Sequence, residues 1–206
     1  MITLHHLNQS RSFRILWLLE EIQQPYQLQR YYRDLTTHLA PASLKQIHPL
    51  GKSPVIEWDG KVIAESGAIV ELLIRKLAPH LAPDINDETY IDYLQWIHFS
   101  ESSAMVPFLL KTFNAMETKQ GTELVFLDQY TQVEFDKVFG FLNDCLADKT
   151  FLVEDRLTGA DFMMGFGLHA VIYQMQLGYR YPHIQRYVQT LTELPSWQAA
   201  MKLEQQ

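Results

Sequence analysis

Two hydroxyls flank a guanidinium in Ser10-Arg11-Ser12, where an apolar segment, Ile2 to Leu7, gives way to a longer apolar run, Phe13 to Ile22. A second hydroxyl with an acidic neighbour, Glu65-Ser66, stands in the same relation to a later apolar-periodic segment. Ser10 and Ser66 each read first as a helix cap, because a hydroxyl placed before a helix satisfies one of its unpaired N–H groups. The same place is the positive end of a helix, where a hydroxyl donor and free N–H groups stabilise an anion. Anion binding, or support of a negatively charged nucleophile, is the chemistry such turns can do. The rest of the chain offers little else. A single cysteine, Cys145, excludes an internal disulfide and a CxxC redox pair, and its neighbours make it a small buried hydrophobe. The eight histidines form no HExxH or Cys/His ligand spacing, and adjacent His5 and His6 would point to opposite faces of a strand, so no metal is expected.

These turns need a scaffold. With 206 residues the chain can build one large domain or two smaller ones, either with a substantial core and no covalent staple. Hydrophobic content of 47% with 20% charged residues is ordinary for a globular protein. No stretch approaches the roughly 18 consecutive apolar residues of a membrane span. The formal net charge of -7 argues against a broad grip on nucleic acid or on an anionic membrane surface. Met1 to Asn8 lacks the basic and long apolar regions of an export signal, which makes the cytoplasm the expected location.

Ile2 to Leu7 reads as a strand and Phe13 to Ile22 as a buried helix stopped by Pro25. Tyr26 to Tyr32 predicts a second strand, and Ala42 to Ile47 a short helix. Val55 to Trp58 and Lys61 to Ala64 flank Asp59-Gly60, a type I′ hairpin signal. Ser66 opens a helix with Ile69, Leu72, Leu73 and Leu77 on one face. The order β-α-β-α-β-β-α over residues 1–78 makes a small α/β domain. Pro79 and Pro83, within Ala78 to Asp87, mark a linker. Beyond it strand signals vanish, and residues 88–206 read as all-helical. Thr89 to Met116 is one long helix that Pro107 should kink, and Thr122 to Leu146 carries Leu124, Leu127, Thr131, Phe135, Val138 and Leu142 on one stripe. Thr158-Gly159-Ala160-Asp161 has capping-box spacing before an apolar run to Met175. Two shorter helices follow, near His183 to Thr192 and Ser196 to Leu203.

Taken together, four segments resemble those of the cytosolic glutathione transferases, in order and in spacing. Ser10-Arg11-Ser12-Phe13-Arg14, running into Leu16-Trp17-Leu18-Leu19-Glu20-Glu21, is similar to the active-site turn of the serine-type bacterial and fungal members, with theta and delta as distant relatives. His48-Pro49-Leu50-Gly51-Lys52-Ser53-Pro54-Val55-Ile56 resembles the segment that carries the family's cis-proline. It departs from the pattern at His48, usually Asn, and at Ser53, usually apolar. Glu65-Ser66 resembles the pair that holds the γ-glutamyl end of glutathione, and Thr158 to Asp161 the capping motif of the second domain.

The resemblance implies a thioredoxin-like glutathione-binding domain over 1–78 and an all-helical substrate domain over 88–206. It also implies a homodimer, and a transferase that uses glutathione as co-substrate, with no other cofactor, against a small hydrophobic electrophile or a peroxide. A thiol attacks only as thiolate, from a reference pKa near 8.5. Lowering that by about two units takes about 2.7 kcal/mol, which one charge-assisted hydrogen bond of roughly 1.5 to 3 kcal/mol can supply. Ser10, four residues before Arg14, is the implied donor, with Ser12 its competitor. Arg11 reads either as a solvated first-turn charge or as support for the anionic thiol. Ser53, before Pro54, would pair through its main chain with the cysteinyl portion. Glu65 would accept from the γ-glutamyl ammonium while Ser66 and the helix it opens hold the α-carboxylate. Lys52 and His38 would meet the glycyl carboxylate, with plain solvation the alternative for His38. Met105, Phe108, Phe113 and Met116 are the implied lining of a second-substrate site between the domains, or else core. Two rival readings are a catalytically silent interaction module with the same fold, and a glutathione-dependent disulfide reductase, which normally carries a cysteine where this chain has Ser10 or Ser12.

Overall fold

The structure, a computed structural model, describes residues 1–119, 121, 122 and 124–206. Its first element is strand β1 (Ile2–Leu7), followed by helix α1 (Phe13–Glu21), strand β2 (Tyr26–Tyr31) and a 3₁₀ turn (Ala42–Gln46). Strands β3 (Val55–Trp58) and β4 (Lys61–Ala64) and helix α2 (Ser66–Leu77) complete the series. The sheet runs in the order β2-β1-β3-β4. β1 is parallel to β2, with Leu7 opposite Tyr31, and antiparallel to β3, with His5 opposite Val55. The expected α/β order is found, except that the short helix between β2 and β3 closes as a 3₁₀ turn. The β3–β4 hairpin turns on Asp59 and Gly60, both with positive φ (49° and 73°), as a type I′ turn requires.

The chain forms two compact units, one of Met1–Ala82 with Leu191–Gln206, the other of Pro83–Thr190. The division at Ala82 falls inside the expected linker. The last helix, α8 (Pro195–Glu204), differs from expectation in clustering with the first unit rather than with the helical stretch 88–206. Its apolar face explains this. α1 buries seven of its nine residues, and no single sheet face can cover them all. Trp197 of α8 packs edge-on against Phe13 and Trp17, each at 4.8 Å between ring centres, and the Trp17 indole N–H donates to Ser196 Oγ at 3.0 Å.

The second unit is helical. α3 (Thr89–Phe99) runs through a π-helical turn (Ser100–Ala104) into α4 (Met105–Lys119). The expected kink at Pro107 is taken up by that π turn just upstream, because Pro107 brings no N–H for the preceding turn and its ring crowds the carbonyl there. α5 (Val125–Cys145) begins three residues later than expected, and Glu123, within the expected span, lies outside the described residues. Thr131, Phe135 and Leu142 of the expected stripe are buried, whereas Leu124 is exposed. Cys145 is half-buried, and burial pushes its thiol up. α6 (Gly159–His169) is apolar on all sides and central, and leads through a second π turn (Ala170–Gln174) to α7 (Pro182–Glu193). The Thr158–Asp161 capping box is formed, with the Thr158 N–H donating to Asp161 Oδ2 at 2.8 Å. The other carboxylate oxygen accepts from the Tyr187 hydroxyl at 2.7 Å and the Leu152 N–H at 3.1 Å, tying three segments to one fully buried acid.

Candidate active site

Between β1 and α1 the chain reverses through Gln9, which has φ 50°, so that Ser10 and Ser12 fold back against the end of β1. Ser10 does not cap the helix as expected. Ser12 stands at the cap position in helical conformation and makes no side-chain cap bond. Its hydroxyl reaches backward instead. Ser12 Oγ accepts from the Leu7 N–H at 3.1 Å, lies 3.1 Å from the Leu7 carbonyl, 2.8 Å from His6 Nδ1 and 2.9 Å from Ser10 Oγ. Ser10 Oγ accepts the Ser12 N–H at 3.2 Å, and both of its contacts are to Ser12. Ser12 is 0% exposed and Ser10 6%.

The far side of this cluster comes from the end of the chain. His6 Nε2 lies 2.7 Å from Glu204 Oε2, and Glu204 Oε1 accepts the Gln9 N–H at 2.7 Å. Arg30, opposite His6 on β2, donates to the Leu203 carbonyl and so fixes the same end of α8. The Arg33 guanidinium donates to the Gln9 carbonyl at 3.2 Å, and the Arg33 backbone N–H donates to Asn8 Oδ1 at 2.8 Å. Burial, then the nearby Arg11 charge, pull the Arg33 guanidinium down, and Glu204 acts in the opposite sense. His5 faces the other side of the sheet, as alternation requires, held by Tyr31 Oη at 3.0 Å and Glu57 Oε1 at 2.7 Å.

The Ser53–Pro54 peptide bond is cis. Ser53 Oγ donates to the His5 carbonyl at 2.8 Å and accepts the Leu7 N–H at 3.3 Å. The hydroxyl thus extends the β3–β1 ladder past its last backbone pair, which gives a polar residue a buried partner where the family pattern is apolar. Lys52 beside it is exposed. At the start of α2, Glu65 rather than Ser66 is the cap residue, exposed and in an unusual backbone conformation for a side chain, φ 70° and ψ 114°. Ser66 is buried as the first helical residue and accepts from Arg14 Nη1 at 3.0 Å. Arg14, almost wholly buried on α1, therefore fixes the second hydroxyl turn to the first helix.

The structure thus brings Ser10, Ser12 and Ser53 together around Leu7, and ties Ser66 to α1. His38 is an exposed turn residue with φ 58°, its N–H donating to the Asp34 carbonyl at 2.8 Å. In the second unit Met105 and Phe108 are buried, and the Met105 sulfur lies where a side chain on Gly167 would meet it, at 3.4 Å. Phe113 is 56% exposed and Met116 is also exposed. Sequence reasoning missed His6 and Glu204. His6 carried only the signal of strand alternation, and Glu204, 195 residues from Gln9, carried none. No group of three or more acidic, histidine or cysteine side chains that could hold a metal occurs among the described residues. No helix among them is long and apolar enough to cross a membrane.

The N-terminal domain family of glutathione S-transferases matches residues 1–75, and the C-terminal domain family matches residues 109–195. Glutathione S-transferase 3 of Schizosaccharomyces pombe is 32% identical over 99% of the chain and 88% of that protein. A crystal structure of a glutathione S-transferase from Actinobacillus pleuropneumoniae superposes with a TM-score of 0.85 at 34% identity, covering 100% of this chain and 93% of that one. Elongation factor 1-gamma of Carassius auratus is 29% identical over 80% of the chain, which spans 37% of that longer protein.

Proposed function

The chain belongs to the cytosolic glutathione S-transferase family and is a glutathione S-transferase, and on that premise we propose that Ser10 donates its hydroxyl to the glutathione sulfur and holds it as thiolate. One observation carries this choice over Ser12. Ser12 Oγ is enclosed by four partners, whereas among the described residues Ser10 Oγ meets only Ser12, in a bond where either oxygen can be the donor, and so has the less committed hydroxyl. A thiolate so held attacks an electrophilic carbon, or reduces a peroxide with glutathione as the electron donor. Arg11 adds positive charge to the turn. Glu65 accepts from the γ-glutamyl ammonium, and Ser66, fixed by Arg14, holds the α-carboxylate with the first N–H groups of α2. Ser53 pairs through its main chain with the cysteinyl portion, its side chain being committed to β1. Lys52, and His38 from its turn, meet the glycyl carboxylate. Phe113 offers its exposed ring to a hydrophobic electrophile.

The remaining assignments follow the family. The protein acts in the cytoplasm as a homodimer in detoxifying conjugation. Val106, Tyr130 and Phe141, exposed apolar residues around one cleft of about 440 Å³ on α4 and α5, supply a face for a second copy. The test of the reading is a melt with millimolar glutathione, together with conjugation of a generic aryl halide. A raised melting temperature and glutathione-dependent turnover are expected. Absence of both sinks the reading. The similarity to elongation factor 1-gamma favours a second reading, a catalytically silent module, which predicts ligand stabilisation with no turnover above that of free glutathione.

A further inference from the structure

We infer that Arg33 and Glu204 are positioning residues that clamp the backbone of Gln9 and so aim Ser10, an inference that rests on Ser10 as the thiolate's partner. Gln9 has φ 50°, in the left-handed region. Glycine and asparagine enter that region readily, and glutamine does not, because its Cβ crowds the backbone and its side chain is too long to compensate locally. Local preference does not supply the conformation at Gln9, so contacts from elsewhere must. Glu204 Oε1 accepts the Gln9 N–H at 2.7 Å, and Arg33 Nη2 donates to the Gln9 carbonyl at 3.2 Å. Both polar groups of one residue are thus held by side chains 195 and 24 residues away in the chain. Ser12 is tied to Leu7 through its own hydroxyl, so rotation at Gln9 is the freedom left in the turn. That rotation would swing Ser10, whose hydroxyl is bonded only to Ser12 among the described residues.

The clamp is itself fixed. The Arg33 backbone N–H donates to Asn8 Oδ1, and the Asn8 N–H donates to the Tyr31 carbonyl at 3.1 Å, so the guanidinium starts from a set point beside β2. Its other arm, Nη1, donates to the His38 carbonyl at 3.0 Å. His38 is also left-handed, with φ 58°. One guanidinium therefore joins the residue before Ser10 to the loop proposed to meet the glycyl carboxylate. A planar fork of N–H donors can serve two carbonyls at once, which a single ammonium cannot do with the same geometry. Glu204 comes from the end of α8, which Arg30 holds through the Leu203 carbonyl. No particular protonation state is required, because a guanidinium stays charged and a carboxyl oxygen accepts whether or not the acid is ionised.

The experiment titrates the thiolate absorbance of bound glutathione against pH and measures kcat and the KM for glutathione with an aryl halide. It compares wild type, Arg33→Met, Arg33→Lys and Glu204→Ala, each with and without Gln9→Asn or Ser10→Ala. Arg33→Met keeps the stem and removes the fork. It should lower kcat at neutral pH about 3- to 10-fold and move the bound-thiol titration upward. Arg33→Lys keeps the charge but cannot span both carbonyls, and should lose nearly as much. Glu204→Ala frees the other side of the same residue, should act in the same direction, and serves where Arg33→Met does not fold. Asparagine takes the left-handed conformation unaided, so Gln9→Asn should bring kcat of Arg33→Met and of Glu204→Ala back to within about 2-fold of wild type. In a Ser10→Ala background neither should lower kcat further, because both act through Ser10. No gain from Gln9→Asn, full recovery in Arg33→Lys, or equal losses of kcat in the Ser10→Ala background overturn the inference and leave Ser10 in its role. A Ser10→Ala variant that titrates and turns over like wild type overturns the role of Ser10 itself, and this inference with it.

Discussion

Replacing Ser10 and Ser12 one at a time by alanine should produce opposite phenotypes. Ser10→Ala removes an acceptor from the Ser12 N–H and a partner from Ser12 Oγ. Ser12 Oγ keeps its other partners and only the Ser12 N–H is left short, so the stability cost is about 1 to 2 kcal/mol. Ser12→Ala removes the one hydroxyl at the centre of the cluster. It strands His6 Nδ1 and leaves the Leu7 N–H with only the longer 3.3 Å contact to Ser53 Oγ. His6 Nδ1 left short costs about 1 to 3 kcal/mol and the weakened Leu7 N–H about 1 kcal/mol, so a loss of about 2 to 4 kcal/mol is expected. At roughly 2 to 4 °C per kcal/mol for a chain of this size, Ser12→Ala should melt about 5 to 15 °C lower, and Ser10→Ala only a few degrees lower. Activity should divide the other way. Loss of a charge-assisted donor to the thiolate, about 1.5 to 3 kcal/mol, predicts a fall in kcat/KM of roughly 10- to 100-fold for Ser10→Ala. Ser12→Ala should lose less, provided it is assayed well below its melting point. Thermal melts and aryl halide conjugation on the two purified variants decide it. A Ser10→Ala enzyme of normal rate beside a stable, inactive Ser12→Ala enzyme would refute the reasoning.

Three further outcomes are expected. Glu65→Gly relieves a backbone held at φ 70° and should raise stability by about 1 kcal/mol, the strain of roughly 1 to 3 kcal/mol less the entropy of glycine, while calorimetry finds weaker glutathione binding; a lower melting temperature would count against strain at this residue. Burial pushes the Asp161 carboxyl up to about 6, against the hydrogen bonds from Leu152, Tyr187 and Thr158. Its folded-state proton is thus held more tightly than in the unfolded chain, and stability from it is full below about pH 4 and lost as pH rises through about 6. The margin in melting temperature over Asp161→Asn should narrow across that window, and a widening margin would reverse the assignment. Phe141→Asp places a charge on the apolar cleft of α4 and α5 and should shift the protein toward monomer in light scattering, whereas the same substitution at exposed Ile91 should not.

Local chemistry was legible in the sequence. Asp59-Gly60 specified its hairpin because positive φ at two successive residues is demanded by the turn and tolerated by few residue types. Thr158 and Asp161 announced their helix because the capping box closes within four residues. Both hydroxyl turns were found, but their bonding was not. Ser10 and Ser66 looked like caps, and instead Ser10 bonds Ser12 within its own turn while Ser66 serves Arg14, distant in sequence. Ser53 looked like a departure until its hydroxyl was seen to complete an edge of the sheet. The placement of α8 was not legible, because Trp197 on an amphipathic helix says only that one face is buried, not against what. Pro107 marked a disturbance correctly but not its form, since the missing N–H is taken up by a π turn just upstream.

The docking of α8 on α1 has a consequence for biosynthesis. The strands and helices of the first unit are complete in the growing chain at Ala82, yet the helix that covers Phe13 and Trp17 begins only at Pro195. At about 5 to 20 residues per second, some 6 to 23 seconds of translation separate the two. For that interval the nascent protein displays two aromatic rings of α1. Each newly made molecule therefore passes through a stage in which the rings of α1 are adhesive, and the synthesis of α8 ends it.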